Sequence, residues 1–157
     1  MNTTNNTNSN NGTNDKTKSV FTPNLTSDLL VDSLINFLES NSIPSKYIEM
    51  GCGSGYITFN VCKLLQNTDV TLSDISEKAI DEVNVQLNLK SLKYKAIISN
   101  LFCNIDDNNF DLIVSDVAAI SNELTAITNW YDGVSCDTGK DGLKLITELL
   151  VKSKNYL

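Results

Sequence analysis

The sequence predicts an α/β domain in which helices cover both faces of an open, mostly parallel sheet, giving three layers. Short apolar segments typical of buried strands alternate with segments whose apolar residues recur at helical spacing. Glycines and acidic residues follow several of the strands. In open parallel sheets, ligands bind at the carboxyl ends of the strands, so we expect the functional site at this edge.

The predicted domain covers residues 19–157, since a chain of 157 residues suits one domain with a sizeable core. Residues 1–18, MNTTNNTNSNNGTNDKTK, are rich in Asn and Thr and have no apolar periodicity. Such a segment buries too little apolar surface to offset its ordering entropy. We therefore predict a disordered tail followed by one domain.

The composition favours some classes of partner and excludes several mechanisms. With a net charge of −7, a pI of about 4.4 and scattered lysines, a nucleic-acid partner is disfavoured. No apolar run approaches the roughly 20 residues of a membrane span, and no signal-peptide pattern is present, so we expect a cytoplasmic protein without membrane contact. The four cysteines form no C-x-x-C pair and the sequence has no histidine. We therefore expect the cysteines to be buried free thiols and the protein to have no metal site. The absence of histidine also excludes histidine-based catalysis.

The predicted elements follow in order along the chain. The first is a helix over residues 26–40 that Thr26 or Ser27 can cap. The others are strands at residues 46–50, 69–75, 94–102 and 110–116, and helices at 55–66, 76–90 and 139–157.

The segment EMGCGSG, residues 49–55, joins the first strand to a helix. Glycines here let a ligand approach the backbone, and a helix N-terminus offers unpaired N–H groups. The spacing is E-x-G-x-G-x-G. The dinucleotide-binding fingerprint G-x-G-x-x-G would need its third glycine at position 56, which is Tyr56. This difference disfavours a nucleotide-dependent oxidoreductase. A carboxylate before the loop fits a ligand with an ammonium or sulfonium charge better than a pyrophosphate. The alternative is a tight turn whose glycines serve packing alone.

Asp74 ends the next strand, about 20 residues beyond the glycine loop, where a carboxylate accepts ribose hydroxyls in dinucleotide-binding folds. By itself, an acid at this place is as often the N-cap of the following helix. Paired with the glycine loop, the ribose role is the stronger interpretation.

With these motifs the chain resembles the Rossmann-like S-adenosylmethionine (SAM) methyltransferases, and among them the HemK-type protein-glutamine methyltransferases. VFTPNLTSDLLVDSL is similar to the segment that enters their catalytic domain, and EMGCGSG and LSDISEKAI to their first two motifs. SNLFCNIDDNNFDLIVSD resembles their third and fourth strands, and GVSCDTGKDGLKLI their G-x-D-G-L helix entry. Their sheet continues through three further strands, so we expect a domain that is incomplete at its C-terminus: either the chain is a truncated product, or a partner chain completes the sheet.

The resemblance implies a role for each matched residue. Gly51, Gly53 and Gly55 would line the methionine part of SAM, with Glu49 near its amino group. Asp74 would hold the ribose and Ile75 would pack on the adenine, whose edge would meet Asn100 and Leu101. Phe21 and Pro23 would form a lip over the cofactor, or else an ordinary coil on the domain.

Asp116 is the predicted catalytic residue. HemK-type enzymes carry Asn-Pro-Pro-Tyr here, and this chain has Asp116-Val117-Ala118-Ala119. Asp116 keeps a hydrogen-bond acceptor and the Val117 carbonyl is a second one, but both prolines and the aromatic ring are absent. The sequence thus predicts a methyltransferase acting on nitrogen or oxygen of a protein or small-molecule acceptor. The alternative is an inactive SAM-fold remnant or subunit that binds a partner through its open sheet edge.

Overall fold

Four parallel strands form a single sheet in the computed structural model, which describes residues 20–88, 92–128 and 138–157. The strands are β1 (Lys46–Met50), β2 (Asp69–Asp74), β3 (Tyr94–Ile98) and β4 (Leu112–Ser115), in the order β3-β2-β1-β4. The helices are α1 (Leu25–Ser40), α2 (Tyr56–Val61), α3 (Glu77–Asn88), α4 (Asn122–Ile127) and α5 (Lys144–Ser153). This architecture confirms the predicted α/β class.

Two apolar clusters place helices on opposite faces of the sheet. Side chains alternate along a strand, so Tyr47 and Ile48 of β1 point to different faces. Tyr47 lies in a cluster with residues of α1, α2 and α3, among them Leu38, Val61 and Val83. Ile48 and Met50 lie in the other cluster, with α5 and the loop after β3, through Leu149, Phe102, Ile105 and Phe110. The three predicted layers are therefore present.

The first turn of α1 differs from the sequence prediction in its cap. Asn24 is the N-cap, and its side chain accepts hydrogen bonds from the backbone N–H groups of Thr26 and Ser27. The prediction that Thr26 or Ser27 caps the helix is wrong. Ser27 is instead the third helical residue of a capping box, where its hydroxyl accepts the Asn24 N–H at 3.4 Å.

Several elements are shorter than predicted. β3 ends at Ile98, because the chain then turns and buries Leu101, at φ +48°, in the second cluster. α2 ends at Val61, and residues 62–67 continue as turns. α5 begins only at Lys144, after a turn that contains Gly139 and Gly142 at positive φ. The short helix α4, capped by Ser121, was not predicted.

The predicted tail, residues 1–18, lies outside the described residues, as do Cys136 and the first five residues of GVSCDTGKDGLKLI. Cys52 and Cys62 are buried free thiols, as predicted, but Cys103 is exposed because it lies in the turn after β3.

Among the described helices, none is long and apolar enough to cross a lipid bilayer.

Candidate active site

The strand register aligns three site residues at the carboxyl edge of the sheet. Met50 pairs with Ser73 of β2 on one side and with Ser115 of β4 on the other. The next residue of each strand is Gly51, Asp74 or Asp116, so these three lie side by side on adjacent strands. The sequence prediction that polar strand ends share one rim is confirmed for these three strands.

The glycine loop begins at this rim with backbone that only glycine adopts readily. Gly51, Gly53 and Gly55 have φ values of +70°, +52° and +76°. The Gly51 N–H donates to the Ser73 carbonyl at 2.7 Å, which holds the loop against β2. A Cβ atom at position 51 would lie 2.7 Å from Cγ1 of Val117, so the loop also packs closely on the segment after β4. The loop therefore lies between the ends of β2 and β4.

Asp74 connects this loop to the start of α3. Its Oδ2 accepts the Gly53 N–H at 2.8 Å and its Oδ1 accepts the Ser76 N–H at 2.8 Å. A carboxylate has about four acceptor positions, so each oxygen can accept a further hydroxyl. Ile75 follows at the strand tip and is 52% exposed, which leaves an apolar surface beside this carboxylate.

Glu49 is a buried carboxyl group beneath the loop, 2% exposed. Its Oε2 accepts both the N–H of Thr58, at 3.0 Å, and the Thr58 hydroxyl, at 2.5 Å. The pKa of Glu49 is raised to about 7, chiefly by burial; the hydrogen bonds from Thr58 lower it, and the nearby Asp116 and Asp74 add to the rise. Three carboxyl groups therefore interact at this edge.

Asp116 directly follows β4, and α1 holds its side chain. The Ser27 hydroxyl, in a residue that is 2% exposed, donates to Asp116 Oδ2 at 2.6 Å. The neighbouring Asp28 accepts the hydroxyl of Tyr56, the first residue of α2, at 2.6 Å. The first turn of α1 therefore contacts both the β4 tip and the helix that follows the glycine loop.

The segment after Asp116 is fixed from the other side by residues 138–142. Thr138 donates its hydroxyl to the Ile120 carbonyl, and the Asn122 N–H donates to the Gly139 carbonyl at 2.9 Å. At Gly142, a Cβ atom would lie 2.7 Å from the carbonyl carbon of Ile120. Gly142 of the G-x-D-G-L motif thus permits close packing on the chain that leaves β4.

Two of the predicted site residues, Asn100 and Leu101, lie in the turn after β3 and not at the three aligned strand ends. Asn100 is exposed in the turn after β3, and the side chain of Leu101 is buried in the second cluster, which leaves only its backbone for contact with a ligand. Sequence reasoning missed Ser27 and Thr58. Thr58 could have been noticed, because it is a polar residue on the apolar face of a short helix. Nothing in the sequence linked Ser27 to Asp116.

Comparison with known proteins identifies the family. The sequence profile of a family described as Methyltransferase small domain matches residues 16–117. The ribosomal RNA small subunit methyltransferase C of Haemophilus influenzae (strain PittEE) is 29% identical over 117 residues, which cover 74% of this chain and 30% of that protein. The release factor glutamine methyltransferase of Fusobacterium nucleatum is 29% identical over 149 residues, covering 89% of this chain and 41% of that protein. The chain thus spans less than half the length of these two relatives.

The ribosomal protein L11 methylase of Lactobacillus delbrueckii subsp. bulgaricus has the same fold, with a TM-score of 0.58 at 18% identity over 88% of this chain and 57% of that structure. Together the matches agree with the predicted methyltransferase family, and they include a glutamine methyltransferase of the HemK type among the relatives. Because the family match takes in the glycine loop and all three aligned strand tips, we conclude that this chain belongs to the Methyltransferase small domain family.

Proposed function

We propose that this chain binds SAM at the glycine loop and presents an acceptor nitrogen or oxygen to it at Asp116. The alignment of Gly51, Asp74 and Asp116 at the ends of three adjacent strands carries the proposal. It brings the predicted methionine, ribose and acceptor positions to one edge of the sheet.

The residues at this edge fit SAM. Among the described residues, a Cβ atom at Gly53 would meet only Cγ1 of Val20, at 3.8 Å, so there is room beside the backbone here. Both Asp74 oxygens keep acceptor capacity for ribose hydroxyls, and Ile75 offers exposed apolar surface for a base. Buried Glu49 suits a cationic ligand, since a nearby positive charge favours the ionised carboxylate.

Methyl transfer demands alignment more than acid–base chemistry, which agrees with a sequence that has no histidine. When bound, SAM supplies a methyl group on a sulfonium sulfur. Asp116, fixed by Ser27, accepts a hydrogen bond from the N–H or O–H of the acceptor and orients its lone pair, and the Val117 carbonyl provides a second acceptor. Such positioning supplies several kcal/mol of barrier reduction, and roughly 7–11 kcal/mol at the extreme, in the best-oriented reactions.

The names of the relatives point to two classes of acceptor. One relative is named for ribosomal RNA and another for glutamine in a release factor. The expectation against a nucleic-acid acceptor therefore has no support from the relatives. We favour a protein acceptor because a net charge of −7 gives little general attraction for phosphates.

Transfer of a radiolabelled methyl group from SAM tests this function. Ribosomes and release factors from the source organism serve as acceptors, and the label is counted separately in the protein and RNA fractions. Asp116→Ala should lower turnover by roughly 10²-fold, the cost typical of a misplaced reactant, while SAM affinity is kept. Asp106→Ala, which removes an exposed acid in the loop before β4, is the matched control. Unchanged turnover in Asp116→Ala would remove Asp116 from the site, and label in RNA alone would replace the protein acceptor by RNA.

A non-catalytic subunit remains the second candidate, on one observation. α5 exposes Leu143, Leu150 and Val151, at 53%, 62% and 60%, and β4 is an edge strand of the described sheet. Exposed apolar side chains and an edge strand are each features of partner-binding sites. Saturable SAM binding without transfer to any acceptor would favour this candidate.

A further inference from the structure

We propose that the exposed face of α1 is a docking surface for the methyl acceptor, and that the acceptor presents a basic amphipathic protein segment to it. The inference rests on the proposed function, because this surface begins beside Asp116. It assigns the chemistry of the docked segment, which neither the family match nor the relatives' names give.

One row of this surface is apolar. Leu25, Leu29 and Phe37 are 85%, 67% and 47% exposed, and they are separated by multiples of four residues, so they lie in one row along the helix. The fold does not use this row, because α1 packs into the domain through its opposite face, with Leu34 and Leu38. An amphipathic helix of a globular protein presents polar residues to solvent. A row of three large apolar side chains on that side therefore indicates a surface for a partner.

An acidic row lies beside the apolar one. Asp28 and Asp32 are one turn apart, and Glu39 is two turns further on, so the three carboxylates share one side of the helix. All three residues are exposed, and α1 contains no lysine or arginine. With a net charge of −7 on the whole chain, the field at this row attracts a cationic partner.

The surface starts at the acceptor side of the candidate site. In the first turn of α1, the Ser27 hydroxyl donates to Oδ2 of Asp116 at 2.6 Å, and the adjacent Asp28 accepts the Tyr56 hydroxyl at 2.6 Å. α1 has 16 residues and is therefore about 24 Å long. A protein segment that lies along the helix thus passes directly beside Asp116.

Other occupants fit this surface less well. Residues 2–18 contain no large apolar side chain, so the predicted tail has nothing to cover the apolar row. The α1 helix of a second copy would bring two acidic rows together. RNA and an anionic lipid surface would be repelled by the same carboxylates. A segment with leucine-like side chains beside lysines or arginines complements both rows.

Fluorescence anisotropy with labelled synthetic peptides tests the docking surface on the full chain. The probe is a helical peptide about as long as α1, with leucines on one face and lysines beside them. In two control peptides, glutamates replace the lysines or serines replace the leucines. Both controls should bind at least roughly ten-fold more weakly than the probe, and the affinity of the probe should fall as salt screens the charges.

Two variants on α1 locate the binding of the probe. Leu29→Ser should weaken it roughly ten-fold, because one apolar contact is lost. Asp32→Lys should also weaken it, since attraction becomes repulsion. Val85→Ser and Asp81→Lys make the same changes at exposed positions of α3 and should bind the probe as the unmodified chain does.

Kinetics of methyl transfer connect the surface to the acceptor. Leu29→Ser should raise the KM for the labelled protein and leave kcat and SAM affinity unchanged, and the probe peptide should compete with that protein. An unchanged KM, or probe binding that both α1 variants leave intact, would overturn the inference while SAM binding and transfer stand. It would also be overturned by an RNA oligonucleotide that binds in place of the probe, or by a dimer that Leu29→Ser dissociates. Absence of SAM binding or of any transfer would overturn the proposed function, and the acceptor assignment with it.

Discussion

The Ser27 hydroxyl donates a 2.6 Å hydrogen bond to Oδ2 of Asp116, joining the first turn of α1 to the tip of β4 across 89 positions of sequence. The same oxygen of Ser27 accepts the Asn24 N–H at 3.4 Å. The helix start is thus coupled to the orientation of the predicted catalytic carboxylate. Because Oδ2 receives the Ser27 hydroxyl, Oδ1 is the oxygen we assign to the acceptor.

Replacing Ser27 by Ala should lower methyl transfer while SAM affinity stays unchanged, because Asp116 loses the donor that orients it. Removal of one buried hydrogen bond should also lower the free energy of unfolding by about 1 kcal/mol. Ser33→Ala is the control, since it removes another α1 hydroxyl, one that bonds only to the Leu29 carbonyl among the described contacts. Turnover equal to that of the control would show that Ser27 does not position Asp116.

Replacing Gly51 by Ala should destabilise the fold more than replacing Gly53. Both positions have positive φ, which costs an L-residue roughly 1–2 kcal/mol, but only a Cβ at position 51 collides, at 2.7 Å, with Val117 Cγ1. Urea unfolding measures the difference. Adding Val117→Ala to Gly51→Ala removes the colliding atom and should recover the packing part of the loss. Equal losses for Gly51→Ala and Gly53→Ala would contradict this packing.

Replacing Asp74 by Asn should weaken SAM binding at least roughly ten-fold, because hydrogen bonds to a charged group contribute about 1.5–3 kcal/mol each. One amide oxygen can still accept from the loop, so the fold should persist. Asp69→Asn, at the exposed start of the same strand, should leave the affinity unchanged. Titration calorimetry on the two variants checks the ribose assignment, which fails if both bind SAM equally well.

The buried Glu49 carboxyl makes stability depend on pH. Its pKa is about 7 in the folded chain against an ordinary value of 4.5. The folded state therefore keeps a proton that the unfolded chain releases, and stability falls as pH rises from about 4.5 to about 7, by about 3 kcal/mol. Glu49→Gln should lack this loss, so its stability relative to the unmodified chain should improve across that window. Unfolding curves at several pH values would refute the assignment if the difference stayed constant.

The sequence predicted the α/β fold and the carboxyl edge at which the candidate site lies, because both depend on local patterns. Alternating strands and helices required a parallel sheet, and the residue after each apolar strand had to lie at the carboxyl edge. Gly51, Asp74 and Asp116 follow from that rule alone.

Features that depend on contacts between distant segments were not predictable. The turn that shortens β3 results from burial of Leu101 in a cluster formed with α5, far along the chain. The cap of α1 was assigned to Thr26 or Ser27, yet Asn24 caps it while Ser27 binds Asp116. Thr58 acquires its role only once α2 folds back over Glu49.

Direct titration of the purified chain with SAM tests whether the glycine loop and Asp74 form one cofactor site. We expect saturable binding of one SAM per chain, displaced by S-adenosylhomocysteine and weakened by Asp74→Asn. A chain that folds but binds no SAM would contradict it.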